Sequence, residues 1–491
     1  MADSSRSVKK RRTCSYNCPP ALNCLTGKPA AVAHILRLPI EMLMYILQFL
    51  DQTEWVRLSC VSQQFRTAVS LLLRSVRVVD FERIVHSSRG LKAEGFVTYF
   101  LSHARNLREL TIHGSVLSSI RRPVLNEMID LERLRKLDVS FCRIDASAFS
   151  RLLRGLPQLE ELFMDGTLSY LRKDNQRGSQ KYEPANSLVS KAFSNLSHLR
   201  VLHFSENDKV TGEVLLSLPK DHLEELYLNK WTALEPSVVD VILSQCRSLK
   251  KLNLCSPGRV IFSPSDFLSI KLVDSLPNPQ LLKSFEFHDF CSGFTVSWSA
   301  FYKKCPQLEE LSIDSSSALT SDCVDALIEN CSLLSKVKVH PKALYCSEIV
   351  RRIGRIPSLR MLTIDCPEPM NGFDEVAFEI FCTVASKLEV LDFDHVRVKK
   401  ECARSLGRLK KLTTLRIGWN TMENEVLQSI PPIVYANLLH LEIHDAPKIT
   451  EGCLLLVSRH LKPSCRISFV NLCSTPLIQA MLNRFDRMLT S

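Results

Sequence analysis

A leucine pattern of the form L-x-x-L-x-L returns along most of this 491-residue chain at nearly constant spacing. It stands complete at Leu107, Leu110 and Ile112, again at Leu134, Leu137 and Val139, and again at Leu159, Leu162 and Met164. It continues from Leu199, Leu223, Leu249, Leu282, Leu308, Leu334, Leu359, Leu388, Leu412 and Leu438, and a degenerate fourteenth unit uses Ser464, Ile467 and Phe469. Eleven of the thirteen intervals between first positions lie between 24 and 29 residues, which chance does not produce. A weaker unit, Leu73, Val76 and Val78, stands ahead of the array. One such unit cannot bury its own leucines and needs a neighbour on each side, so the period predicts a stacked repeat.

Within a unit, the alternation Leu110-x-Ile112 predicts a short strand with one face inward. The rest must carry the chain back to start a parallel strand, which takes a dozen or more residues. PSVVDVILSQC (236–246) suits a helix for that return, with Pro236 early and an apolar stripe through Val238, Val241 and Ile242. Strands stack at about 4.8 Å and helices at about 10 Å, so the expected product is an α/β solenoid bent into a horseshoe with its strands inside.

Composition narrows the chemistry. There are 15 glycines in 491 residues and no GxxxxGK[ST] or GxGxxG, which excludes the common phosphate loops. There is no HExxH, no GxSxG and no C-x2-C pair, so the chain reads as non-catalytic and without a cofactor. No run of about 18 apolar residues offers a membrane span. Cys246, Cys305 and Cys331 stand three residues before first-position leucines, and Cys142 stands eight after Leu134. Asn207 and Asn420 take that same slot, which holds Trp231, Pro257 and Lys342 elsewhere. These cysteines read as small buried core groups, and Cys473 as structural.

The net charge is +11, and residues 1–34 carry six basic residues against one acidic. That segment is polar and proline-bearing and reads as a disordered tail, with Lys9, Lys10, Arg11 and Arg12 as a nuclear-import cluster. It shows no apolar core of an export signal, so the expected location is the cytoplasm, the nucleus or both, with reduced cysteines. Cys14, Cys18 and Cys24 lack a fourth ligand nearer than His34, so no metal site is expected.

Residues 35–75 read as three short helices. Ile40, Leu43, Ile46, Leu47 and Leu50 give the first an apolar face after Pro39. Thr53 and Ser62 are the expected caps of the second and third. This string resembles the F-box through Leu38-Pro39-Ile40-Glu41, Ile46, Phe49-Leu50-Asp51, Leu58, Val61-Ser62 and Phe65, the last standing where the family often has Trp. The repeats resemble the cysteine-containing leucine-rich repeats of F-box proteins. The resemblance implies a substrate receptor of an SCF-type cullin–RING ubiquitin ligase. Leu38, Pro39, Ile40, Leu43, Ile46, Leu47 and Leu50 would dock a Skp-type adaptor, with Leu58, Val61 and Phe65 holding the helices together. The implied division is a tail at 1–34, the F-box at 35–78, repeats at 79–480 and a short tail at 481–491. The alternative is a non-catalytic repeat scaffold or inhibitor acting outside ubiquitination.

Strand alternation puts the third, fifth and seventh positions of each unit on the open face. Those columns carry 12 acidic and 6 basic side chains, so the hollow is expected to prefer a protein segment bearing Lys or Arg and to repel nucleic acid. Phe163, His203 and Tyr227, with Trp231 just beyond, form a candidate aromatic anchor on three consecutive strands. Asp365, Asp392 and Asp394 form a candidate acidic clamp. The polar inserts 169–184 and 256–267 are candidate contact loops.

Overall fold

The structure, a computed structural model, describes residues 35–86, 93–168, 183–231, 234–255, 275–288, 297–313, 319–339, 347–365, 373–394, 396–419 and 422–470. Lys9–Arg12, the cysteines of the tail, His34, most of 169–184, all of 256–267, Pro257, Lys342, Asn420 and Cys473 lie outside the described residues. The chain divides into two compact units, Met1–Leu71 and Leu72–Ser491.

The first unit holds helices α1 (Ile40–Leu47), α2 (Gln52–Ser59) and the start of α3 (Gln63–Ser75). Asp51, and not Thr53, caps α2: its carboxylate accepts from the Thr53 and Glu54 amides at 2.9 Å. A carboxylate at a helix start satisfies free amides and meets the positive end of the dipole, which outweighs what a hydroxyl two residues on offers. Ser62 does cap α3, accepting from the Phe65 amide at 3.2 Å. The Trp55 indole donates to the Leu47 carbonyl and Gln64 Nε2 donates to the Leu38 carbonyl at 2.8 Å, tying α2 to α1 and α3 to the segment just before α1.

Among the described residues, the second unit is built on one parallel sheet of 15 strands in sequence order. The strands are β1 (Val78–Asp80), β2 (Glu109–Thr111), β3 (Lys136–Asp138), β4 (Glu161–Phe163), β5 (Val201–His203), β6 (Glu225–Asn229), β7 (Lys251–Cys255) and β8 (Ser284–His288). They continue as β9 (Glu310–Ile313), β10 (Lys336–Val339), β11 (Met361–Asp365), β12 (Val390–Asp394), β13 (Thr414–Gly418), β14 (His440–His444) and β15 (Arg466–Val470). The last fourteen fall on the fourteen leucine units. The register sets Leu110, Leu137, Leu162 and Leu202 side by side, so like positions stack from repeat to repeat. The fold is a leucine-rich-repeat solenoid. The weak first unit is displaced by three residues from its sequence reading: Val79, not Val76, pairs with Leu110, and Val79 and Phe81 are the buried positions while Val78 is exposed.

Helices return the chain in most repeats. Pro236–Gln245 is the one expected at that place, but Val241 faces out and Val238, Val239, Ile242 and Leu243 are buried. The stripe spans two adjacent rows because a helix on a sheet buries a wide face. Cys142, Cys246, Cys305 and Cys331 are buried as free thiols, and burial pushes each up to about 12.

The turn after a strand has its own chemistry. Phe141, Glu206, Lys230, Asp445 and Gly166 all have φ between 47° and 63°, and all stand four residues after the stacked central residue of their strand. That left-handed step aims the following residue inward. Cys142, Asn207 and Trp231 take that slot, at no more than 1% exposure. Asn207 accepts from the Leu168 amide at 2.7 Å and donates to the Met164 carbonyl at 3.1 Å, closing the preceding repeat. At Gly418 a Cβ would lie 1.7 Å from the His444 carbonyl oxygen, so only glycine lets these strand ends meet. Asn207→Ala strands the buried Leu168 amide, while the Met164 carbonyl keeps the Thr167 amide at 3.3 Å, and is expected to cost about 1–3 kcal/mol. Asn195→Ala, on the surface, should cost less than about 0.5 kcal/mol. Urea denaturation followed by circular dichroism separates the two.

Candidate functional site

In the first unit, burial sorts the apolar residues into two sets. Leu43, Leu47, Phe65, Ala68 and Val69 are buried and Trp55 nearly so. Met42, Tyr45, Phe49, Leu50 and Val61 are exposed, Phe49 by 75% and Val61 by 67%. Leu38, Ile40, Ile46 and Leu58 are half-buried and Pro39 is exposed. Two expectations change. Leu43 and Leu47 are core residues with no surface to offer a partner, because they lie four apart on the inner row of α1. Val61 is a surface residue and holds nothing together, since it sits in the turn between α2 and α3. Leu38, Pro39, Ile40, Ile46 and Leu50 keep accessible area.

Met42, Tyr45 and Phe49 were absent from the expected docking set. They follow one another at steps of three and four, Met42 and Tyr45 on the side of α1 away from Leu43 and Leu47 and Phe49 just past its end. The Tyr45 and Phe49 rings meet edge to face, 5.2 Å between centroids. The signal was present in IEMLMYILQFL, which is apolar all round where a surface helix is apolar on one side.

On the open face of the second unit, Phe163, His203 and Tyr227 are register partners on β4, β5 and β6. Their rings form a ladder, with centroids 4.3 Å apart for Phe163 and His203 and 3.8 Å for His203 and Tyr227. The rings are half-buried by one another and half open. Lys136 Nζ covers the Phe163 ring at 4.8 Å. Asp165 Oδ2 lies 3.8 Å from His203 Nδ1. Burial raises the Tyr227 phenol above its ordinary range, so it stays a neutral donor. Trp231 does not join this ladder. It is buried, its indole N–H donates to the Val210 carbonyl at 3.0 Å, and its ring meets Phe204 at 4.9 Å. The left-handed turn at Lys230 swings it into the core.

The charged columns are organised by cross-strand pairing. In the third-position column, Lys136 pairs with Glu161 at 2.9 Å, Lys251 with Glu225 at 3.0 Å, and Lys336 with Glu310. One residue earlier, Glu224 binds Arg200 and Lys250 at 3.0 Å each, and the hydrogen bond from Arg200 holds its carboxyl below the usual range. Pairing leaves the count of 12 acids to 6 bases unchanged but takes particular residues out of reach. Asp392 is one: it is 7% exposed and accepts from Arg416 Nη1 at 3.1 Å, while Arg416 Nε also lies 3.3 Å from Glu442. The expected clamp therefore loses its central carboxylate to an internal partner. Asp365 and Asp394 are register partners at the ends of β11 and β12, and their side chains lie outside the described set. Among the described residues no cluster of His, Cys, Asp and Glu suits a metal ion, and no helix is long and apolar enough to cross a membrane.

Residues 35–75 match the F-box domain family. No curated protein matches the chain. Among solved structures, the Rad7 and Elc1 complex of yeast covers 90% of this chain and 99% of that one at 13% identity, with a TM-score of 0.45. An internalin (inlF) of Listeria monocytogenes covers 77% and 89% at 15% identity and a TM-score of 0.38. The mouse RP105/MD-1 complex covers 75% and 51% at 16% identity and a TM-score of 0.33.

Removing Arg416 takes a cationic partner from the nearly buried Asp392 carboxylate. Arg416→Met is expected to cost about 1–3 kcal/mol, and Asp392→Asn in that background to recover part of it. Urea denaturation of the four variants reads the coupling. The chain thus carries an F-box at 35–75 and a leucine-rich-repeat solenoid after it, the two-part build of the F-box/leucine-rich-repeat family.

Proposed function

We propose that this chain is a substrate-recognition subunit of an SCF-type ubiquitin ligase, acting in the cytoplasm or nucleus. The observation that carries the reading is the greasy surface of the F-box. Met42, Tyr45, Phe49, Leu50 and Val61 lie exposed in a unit of some 40 residues that already has a buried core. Exposed apolar residues gathered in so small a unit mark a protein-binding surface, and the F-box match supports a Skp-type adaptor, and through it a cullin–RING core, as the partner.

The solenoid would then hold the substrate, with the Phe163–His203–Tyr227 ladder as the anchor. Stacked rings lose little side-chain entropy on binding and present both apolar faces and polar edges, the qualities of a binding hot spot. No nucleophile, acid or base of this chain enters the reaction. Its contribution is effective concentration: a substrate lysine held near a charged ubiquitin carrier reacts as if within one molecule.

Affinity purification of the full chain from cells, with mass spectrometry, tests both surfaces. Tyr45→Ser with Phe49→Ser is expected to remove the adaptor and the cullin while the far-ultraviolet circular dichroism is unchanged, since hot-spot residues cost about 2 kcal/mol or more each. Phe163→Ala with Tyr227→Ala should keep the adaptor and lose a distinct set of proteins. An adaptor that co-purifies without any cullin would sink the ligase reading in favour of a scaffold.

A further inference from the structure

A cavity of about 530 Å³ opens beside the first repeats, and none of the rings of the aromatic ladder lines it. It lies among the segment after β2, the start of the helix Arg122–Ile129, the segment after β3, the start of the helix Ala146–Gly155, and Lys209 beyond β5. Five cationic residues line it, Arg121, Arg122, Arg143, Arg151 and Lys209, against one carboxylate, Asp145. Ile120, Leu125 and Ile144, all buried, also line it.

The groups are fixed in place before any ligand arrives. Ser119 and Arg143 form a parallel bridge, the Ile120 amide donates to the Arg143 carbonyl at 3.0 Å, and the Arg143 amide donates to Ser118 at 3.1 Å. This joins the two segments that supply Arg121, Arg122 and Arg143. Asp145 is already spent on its own helix, accepting from the Ser147 and Ala148 amides at 2.9 Å and from the Ser147 hydroxyl at 2.6 Å. Arg121 has Glu94 at 3.5 Å, and Arg151 donates to Asn126 Oδ1 at 3.3 Å. Arg122 and Arg143 have no carboxylate within 4.0 Å among the described residues.

The geometry points to a binding site for a phosphoryl group, carried by a phosphorylated side chain or by a small phosphate ester. A single carboxylate brings one charge to a cavity that carries a net excess of four positive ones. A phosphomonoester brings nearly two, with three acceptor oxygens that match the forks of two guanidinium groups. The volume is that of a small-ligand site, suited to a terminal phosphoryl group and not to the continuous backbone of a nucleic acid. This inference stands apart from the adaptor reading, whose residues are in the F-box.

Calorimetric titration of the full chain with pyrophosphate and with phosphoserine, against sodium chloride of equal ionic strength, tests it. Binding is expected, and Arg122→Glu with Arg143→Glu should weaken it at least about tenfold, since each change replaces a charged hydrogen-bond donor with a like charge. Arg355→Glu with Arg404→Glu, a surface reversal of the same size elsewhere, should leave it unchanged. Lowering the pH from about 7.5 to about 5.5 should weaken phosphoserine binding, because its second ionisation lies near 6. Capture of peptides from a lysate digest that is lost on phosphatase treatment assigns the phosphate to a protein. Pyrophosphate binding without such capture assigns it to a small ester. Three results would overturn the site: no heat above the salt control, equal loss in both double variants, or duplex DNA competing as well as pyrophosphate.

Discussion

Everything in the second unit depends on burial that no repeat achieves alone. Each short strand offers one stacked apolar residue, and Leu110, Leu137, Leu162 and Leu202 have no inside until a neighbour supplies it. Stability in such an array is a sum of intrinsic terms and nearest-neighbour terms. Buried polar groups follow the same rule. Asn207 completes the backbone of the repeat before it, and Cys142 Sγ reaches the Ile112 carbonyl at 2.9 Å.

That arrangement leaves the outward positions free to vary. Stacking by identical register brings residues 24 to 40 apart in sequence into side-by-side columns. A column can then become a ladder of rings, as at Phe163, His203 and Tyr227, or a ladder of alternating charge, as at Arg200, Glu224 and Lys250. The two have different consequences. Rings that stack still show their edges to a partner, whereas paired charges satisfy one another. Asp392 and Arg416 show the second case, and a sum of charges over the face does not reveal it.

The F-box works the other way. Its small core uses Leu43, Leu47, Phe65 and their neighbours, and the remaining apolar residues have no counterpart in that unit. Met42 and Tyr45 on α1 and Phe49 just after it are greasy and exposed, which raises the risk of aggregation and is the kind of surface that protein-binding sites use.

The fold was legible because a period survives substitution: Val337 and Phe285 serve where other repeats use leucine, and the spacing still counts them. The aromatic ladder was legible for the same reason, since register follows from the period. The terminal unit at β1 was misplaced by three residues because one weak repeat carries too few apolar marks to set its own phase. Which side of α1 lies inside, that Trp231 turns into the core, and that Asp392 already has a partner were decided only in three dimensions. Each turns on a neighbour distant in sequence or on a single left-handed residue such as Lys230, and neither leaves a periodic trace. The basic cavity is the extreme case: Arg122, Arg143 and Lys209 come from separate repeats and follow no column, so only the packed chain brings their charges together.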